Sequence, residues 1–203
     1  MIKSEGSNGY LPTKRLETLV DGIFTIAMTL LVLGLAVPHI NGQLSENVIQ
    51  NAFYNILPSF YSFILSFFLL AIFWSGHHRI FNQIKRINST LLWINVTWLL
   101  FIVMVPFSAS AIGQYGSYAL PSVIFNLNMM GIAFLLYLNL HYASQKGLLH
   151  EDVNTTRINF SKRFNTIFIF IALLAVILSF VIHSWSTMIY AVLFPIHILV
   201  KRK

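Results

Sequence analysis

Long apolar runs alternate with short polar connections along the whole chain. A helix that crosses a membrane needs about 20 mostly apolar residues. We therefore predict an all-α fold, a polytopic membrane protein whose residues 1–203 form a single six-helix transmembrane domain. The predicted spans lie at about residues 15–37, 52–78, 89–112, 118–142, 164–182 and 185–200. Only His183 and Ser184 join the last two spans, which predicts a tight helical hairpin.

The composition agrees with a membrane protein. Hydrophobic residues make up 57% of the chain and charged residues 9%, whereas a soluble domain carries about 25% charged residues. The chain has no cysteine, which excludes disulfides and thiolate metal sites. The first apolar run, residues 19–37, is longer than the roughly 7–15 residues of a signal peptide core, so we expect no cleavable signal.

The basic residues fall only in alternate connections. All 13 Lys and Arg lie in the N-terminal segment, the 2–3 loop, the 4–5 loop or the C-terminal segment. Within the loops they are Arg79, Lys85, Arg86, Lys146, Arg157, Lys162 and Arg163. Because basic loops stay on the inner side of a membrane, both termini are predicted to be cytoplasmic. The net charge of +7 is explained by this topology, and we expect no nucleic-acid partner.

The first predicted helix has one narrow apolar stripe. At about 100° per residue, Ile26, Thr29, Leu30 and Leu33 lie within about 60° of Ile26. Asp21 lies about 140° from Ile26, so we expect its carboxylate to face packed neighbours. Two interpretations of the stripe remain open. It can be an ordinary helix-packing face, or it can line a pore with a hydrophobic constriction.

Two motifs resemble a known family. The first is Arg15-x-x-x-Leu19-Val20-Asp21 followed by the run from Gly22 to Leu33, and the second is Trp74-Ser-Gly-His-His-Arg79. Together with six predicted spans in about 200 residues, they resemble the transmembrane protein 175 family of potassium channels, in its prokaryotic single-repeat form. The sequence departs from the family motif at Leu19 and Val20, where the family has Phe and Ser.

The resemblance implies a potassium-preferring cation channel with a pore lined by the first helix. Ile26, Leu30 and Leu33 take the places of the family's apolar constriction, and Thr29 takes the place of its selectivity layer. The resemblance also implies a homotetramer in the plasma membrane, with K⁺ as the permeant ion and no cofactor. No Thr-Val-Gly-Tyr-Gly filter is present, so a ring of backbone carbonyls is not expected to select the ion.

The same resemblance implies a structural motif network of Arg15, Asp21, Trp74 and His77. Arg15 and Asp21 are about 240° apart around one helix, so they cannot pair with each other there. We expect all four side chains to cluster, either near the permeation path or as a packing clamp with no role in permeation. His77 and His78 point about 100° apart, and we expect no metal site.

Two other functions are weighed against the channel. A proton-coupled membrane transporter would need a titratable residue near the bilayer midplane, and Asp21 is predicted to lie nearer the cytoplasmic end. An intramembrane enzyme would need a nucleophile or metal constellation in one cleft. Glu17, Asp21, His77 and His78 are the only candidates, and their spacing fits no catalytic arrangement. We therefore expect no enzyme activity and no catalytic residues.

Overall fold

The computed structural model describes residues 12–40, 42–153 and 155–192, without the side chains of Arg157 and Val192. Within these ranges the fold is helical, and the β-structure is limited to isolated bridges such as the one between Ile84 and Leu149. The α-helices are α1 Thr13–Leu30, α2 Glu46–Asn55, α3 Leu57–Phe81, α4 Ser89–Val103, α5 Val105–Tyr115, α6 Ala119–Gln145 and α7 Thr155–Ile182. Two 3₁₀ helices, Leu31–Gly34 and His183–Val192, continue α1 and α7.

Five stretches of the described chain are long and apolar enough to cross a membrane. They are Thr13–Gly34, Glu46–Phe81, Ser89–Tyr115, Ala119–Gln145 and Ile158–Ala191. The prediction of an all-helical, multi-pass membrane protein is thereby confirmed. Half of the sixth predicted span, 185–200, lies outside the described residues, as do both chain ends, so the count of six and the cytoplasmic termini stay predictions.

Two of the spans are each built from two helices. The second is interrupted at Ile56, between α2 and α3, and the third at Met104, between α4 and α5. Pro58 and Pro106 occupy the first turns of α3 and α5. Proline has no backbone N–H and its ring collides with the carbonyl four residues earlier, so it is accommodated where a helix begins. The predicted spans 52–78 and 89–112 are therefore interrupted. The apolar stretch that contains the span 52–78 also begins earlier than predicted, at Glu46.

The chain reverses direction after α7. The rings of Phe168 and Tyr190 are 5.6 Å apart between centroids, although 22 residues of straight helix would separate them by about 33 Å. His183 stands at the reversal with a positive φ of 50°. The fifth apolar stretch therefore crosses the membrane within α7 alone.

A buried hydrogen-bond network holds this reversal. The Asn126 side-chain amide of α6 donates to Ser179 Oγ of α7 at 2.8 Å and to Ser186 Oγ at 3.1 Å. The Tyr190 hydroxyl donates back to Asn126 Oδ1 at 2.9 Å. All four side chains are almost fully buried. Polar side chains in membrane helices hold helices together in this way, because hydrocarbon offers them no other partner.

The connection between α6 and α7 is shorter than the polar stretch from Ser144 to Lys162 suggests. Its residues 146–153 lie beside the connection between α3 and α4, where Lys85 N–H donates to the Leu148 carbonyl at 2.8 Å. Lys85 Nζ also forms an ion pair with Glu151 at 3.2 Å. These contacts join the ends of α3 and α6 at the basic end of the bundle, the end that carries the Lys and Arg of both loops.

Candidate functional site

One face of α1 is anchored in the protein. Leu16, Val20, Phe24 and Ala27, with Leu31 of the following 3₁₀ turn, are all buried. They recur at intervals of three or four residues, the spacing of one helix face. This face packs mainly against α3 and α4, and it determines which side of α1 is turned outward.

The outward side of α1 and of the 3₁₀ turn that follows it is apolar and uncovered. Ile26 is 59% exposed, Leu30 41% and Leu33 74%. Leu19 and Thr29 are also exposed, and we call these five residues the exposed α1 face. A row of large apolar side chains without a partner on the chain is characteristic of a surface that meets lipid or another protein.

Threonine hydroxyls accompany this face. Thr29 Oγ1 donates to the backbone carbonyls of Thr25 at 3.0 Å and Ile26 at 2.8 Å. Thr25 Oγ1 donates in the same way to the Asp21 carbonyl at 2.8 Å. A hydroxyl has one hydrogen and two lone pairs. Because the hydrogen is held by the helix, the oxygen presents only lone pairs outward, and lone pairs suit a cation rather than an anion.

An aromatic stack holds the buried side of α1. The Phe24 ring lies 5.5 Å from the ring of Trp98 in α4, and Trp98 lies 4.7 Å from His77 in α3. His77 continues the stack to Phe81 at 4.0 Å. Trp98 Nε1–H donates to the Ile132 carbonyl of α6 at 3.1 Å. Four helices therefore meet around one indole ring.

The four predicted motif residues make different contacts in the described part of the chain. Trp74 Nε1–H donates to Asp21 Oδ1 at 2.8 Å, which joins two of them. His77 is buried and hydrogen-bonded to the Asn95 side chain at 3.0 Å. Arg15 is exposed, and its side chain has no hydrogen bond or ion pair with any residue that the structure describes. These contacts join Asp21 to Trp74, and the clustering of all four side chains stays a prediction.

Asp21 differs from its prediction. Its carboxylate is exposed rather than enclosed by packed neighbours, and Trp74, its partner, is exposed as well. At the motif positions where the family has Phe and Ser, Leu19 is exposed and Val20 is buried. An apolar Val20 needs no hydrogen-bond partner in that buried position.

The importance of Trp98 could not be inferred from the sequence. Asn95 and Trp98 are three residues apart on an apolar helix, which places them on one side of it, and this is the available signal. The partner helices become known only from the fold.

His77 and His78 lie in different environments, His77 buried and His78 exposed. Among the described residues, no group of three or more His, Cys, Asp or Glu could hold a metal ion.

Replacing Trp98 with Phe should destabilise the protein more than the same change at Trp93. Trp98→Phe removes the hydrogen bond to Ile132 and part of the contact with Phe24, at a cost of about 1–3 kcal/mol. Trp93 is 65% exposed, so Trp93→Phe should change stability by less than about 0.5 kcal/mol. The free energy of unfolding in detergent measures both changes, and equal losses would contradict an anchoring role for Trp98.

The family model described as "Endosomal/lysosomal potassium channel TMEM175" matches residues 15–106. A potassium channel of Chryseobacterium sp. (strain P1-3) is 34% identical over 99 residues, 49% of this chain and 48% of that protein. A potassium channel of Chamaesiphon minutus is 34% identical over 104 residues, 51% of this chain and 50% of that protein. The chain thus spans about half the length of the curated relatives it matches.

The fold has a solved counterpart. The crystal structure of a lysosomal potassium-selective channel TMEM175 homolog from Chamaesiphon minutus superposes with a TM-score of 0.78. The match covers 91% of this chain and 97% of that one, at 23% sequence identity. This likeness confirms the helical fold beyond the region of sequence similarity. Residues 15–106, which carry both motifs and α1 with its anchoring helices, are therefore similar to the TMEM175 family.

Proposed function

We propose that this protein is a potassium-preferring cation channel of the plasma membrane, with a permeation path lined by α1. The exposed α1 face is the observation that carries the proposal. Its opposite side is fixed by the Phe24–Trp98 contact, while Ile26, Leu30 and Leu33 are uncovered. The names of the bacterial relatives, potassium channels, support the same function.

A single copy of α1 cannot enclose a path, so the proposal requires several copies. Closed cyclic symmetry is the usual arrangement of identical subunits, and it would bring the exposed α1 faces together around one axis. A homotetramer, implied by the family resemblance, would place four α1 helices there. Ile26, Leu30 and Leu33 would then form apolar rings that limit hydration of the path.

The side chains on α1 favour a cation. Thr29 stands between Ile26 and Leu30, and its oxygen presents lone pairs because its hydrogen bonds the helix. A ring of such oxygens can replace part of the hydration shell of an ion that passes an apolar ring. We therefore assign ion preference to the Thr29 layer and the barrier to water to Ile26, Leu30 and Leu33.

The competing function is a proton-coupled transporter. Asp21 is the carboxylate deepest in the described spans, about 12 Å from the start of α1 at 1.5 Å per residue. Flux that shows no single-channel steps and is abolished by Asp21→Asn would indicate transport rather than conduction.

The direct test is the reversal potential of the purified protein in a planar bilayer, with potassium on one side and sodium on the other. A channel that prefers potassium gives a reversal potential displaced toward the potassium equilibrium potential. Current that reverses at zero under equal potassium and sodium concentrations would contradict the preference. Discrete current steps distinguish conduction from carrier-mediated flux.

Ile26→Asn should raise the conductance, because an amide lets water enter a ring that is otherwise apolar. Ile177→Asn is the matched control. Ile177 has the same side chain and is 58% exposed, against 59% for Ile26, but it lies on α7. Equal effects of the two substitutions on conductance, in samples of equal oligomeric size, would contradict Ile26 as the constriction.

Thr29→Val should lower the potassium-to-sodium permeability ratio, because it removes the hydroxyl and keeps the shape. We expect about a fivefold loss, equivalent to about 1 kcal/mol, the typical value of one hydrogen bond. Thr18→Val is the control, since Thr18 Oγ1 also donates to a helix carbonyl, that of Lys14 at 3.0 Å. An unchanged permeability ratio in Thr29→Val would contradict a role of the Thr29 hydroxyl in ion selectivity.

A further inference from the structure

A cleft at the basic end of the bundle is lined by an arginine, Arg79, and by no residue of α1. Arg79 lies in the last turn of α3 and is partly buried. Its neighbours in the cleft come from α3, α6 and α7. Among them are Gly76, Leu136, Phe160, Ser161 and Asn165. Gly76 precedes Arg79 by about one helical turn, and the Leu136 side chain packs over it, 3.5 Å from where a Cβ would lie. The cleft is narrow, with a volume of about 10 Å³.

The Arg79 guanidinium has no acidic partner in the described part of the chain. The described carboxylates are Glu17, Asp21, Glu46, Glu151 and Asp152. None of them forms an ion pair with Arg79, and Glu151 is paired with Lys85. Arg79 takes part in a side-chain hydrogen bond only through its backbone carbonyl, which accepts from Gln83 Nε2 at 2.9 Å. A partly buried cation without a counter-ion is costly, so an anion bound there would be stabilising.

The surroundings of the cleft suit an amphiphile. Lys162 and Arg163 follow Ser161 directly on α7 and add positive charge at the same end. Phe160, at the edge of the cleft, is partly exposed, and the same side of α7 continues through Ile167, Phe170 and Leu174. These four lie within about 80° of one another around the helix, and all are exposed. Positive charge therefore stands above a long apolar stripe.

We propose that the partly exposed Arg79 side chain, at this narrow cleft, binds the headgroup phosphate of an anionic phospholipid, with its acyl chains along the exposed stripe of α7. A guanidinium is suited to this ligand because its planar fork donates two parallel hydrogen bonds to phosphate oxygens. Basic pockets between membrane helices bind anionic headgroups for the same reason. The site is separate from the exposed α1 face and does not depend on ion conduction.

Thermal unfolding in detergent tests the proposal, with dioleoyl phosphatidylglycerol as the probe and dioleoyl phosphatidylcholine as the neutral lipid. Phosphatidylglycerol should raise the Tm of the native protein more than phosphatidylcholine does. Arg79→Gln should weaken the apparent affinity for phosphatidylglycerol by about tenfold or more, since hydrogen bonds to charged groups are the strong ones. Lys146→Gln is the control, because Lys146 is exposed at the same end and lies outside the cleft.

Three results would overturn the proposal. Equal losses in Arg79→Gln and Lys146→Gln would indicate general attraction to the basic end. Equal Tm shifts with the two lipids would show that the charge of the headgroup does not contribute to binding. A shift of the same size with inorganic phosphate alone would assign the site to a free anion.

Arg79→Lys keeps the charge without the planar fork of donors and should bind phosphatidylglycerol less tightly than the native protein. This variant keeps the test decisive if Arg79→Gln does not fold. No outcome depends on current, so the channel proposal is tested separately.

Discussion

The packing of Phe24 on Trp98 is the contact on which the position of α1 depends. Lipid chains are as apolar as the helices, so burial of apolar surface drives helix association far less than it does in water, and close packing and hydrogen bonds do more. Trp98 is fully buried and supplies both, through its rings' contacts with Phe24 and His77 and its hydrogen bond to Ile132. Held by this one side, α1 leaves its other side free.

The helical spans could be predicted from the sequence because hydrocarbon leaves few choices. A backbone that crosses a membrane must satisfy its own polar groups, and a helix does so within one segment. The interruptions at Ile56 and Met104 were missed although Pro58 and Pro106 signal them. Hydropathy averages over a whole span and is not lowered by one missing N–H. The resemblance to the TMEM175 family rested on two local motifs, and the matched region contains both.

The candidate site was predictable in part. Periodicity places Ile26, Leu30 and Leu33 on one side of α1, and these side chains are exposed together. Periodicity assigns a direction on one helix, but it does not tell which neighbouring helix lies in that direction. The partner of Asp21, Trp74, is 53 residues away in the chain. His77 is likewise hydrogen-bonded to Asn95 of α4, a partner that no local pattern encodes.

The order of side chains along α1 constrains how the proposed channel would work. Ile26 and Thr29 are three residues apart, about 4.5 Å along the helix axis. A cation that leaves an apolar ring at Ile26 would therefore reach hydroxyl oxygens within roughly the width of its own hydration shell. Those oxygens are already polarised, because each donates its hydrogen to a helix carbonyl. They can replace a few water molecules but not a full shell, so selection by this layer should be weaker than selection by rings of backbone carbonyls.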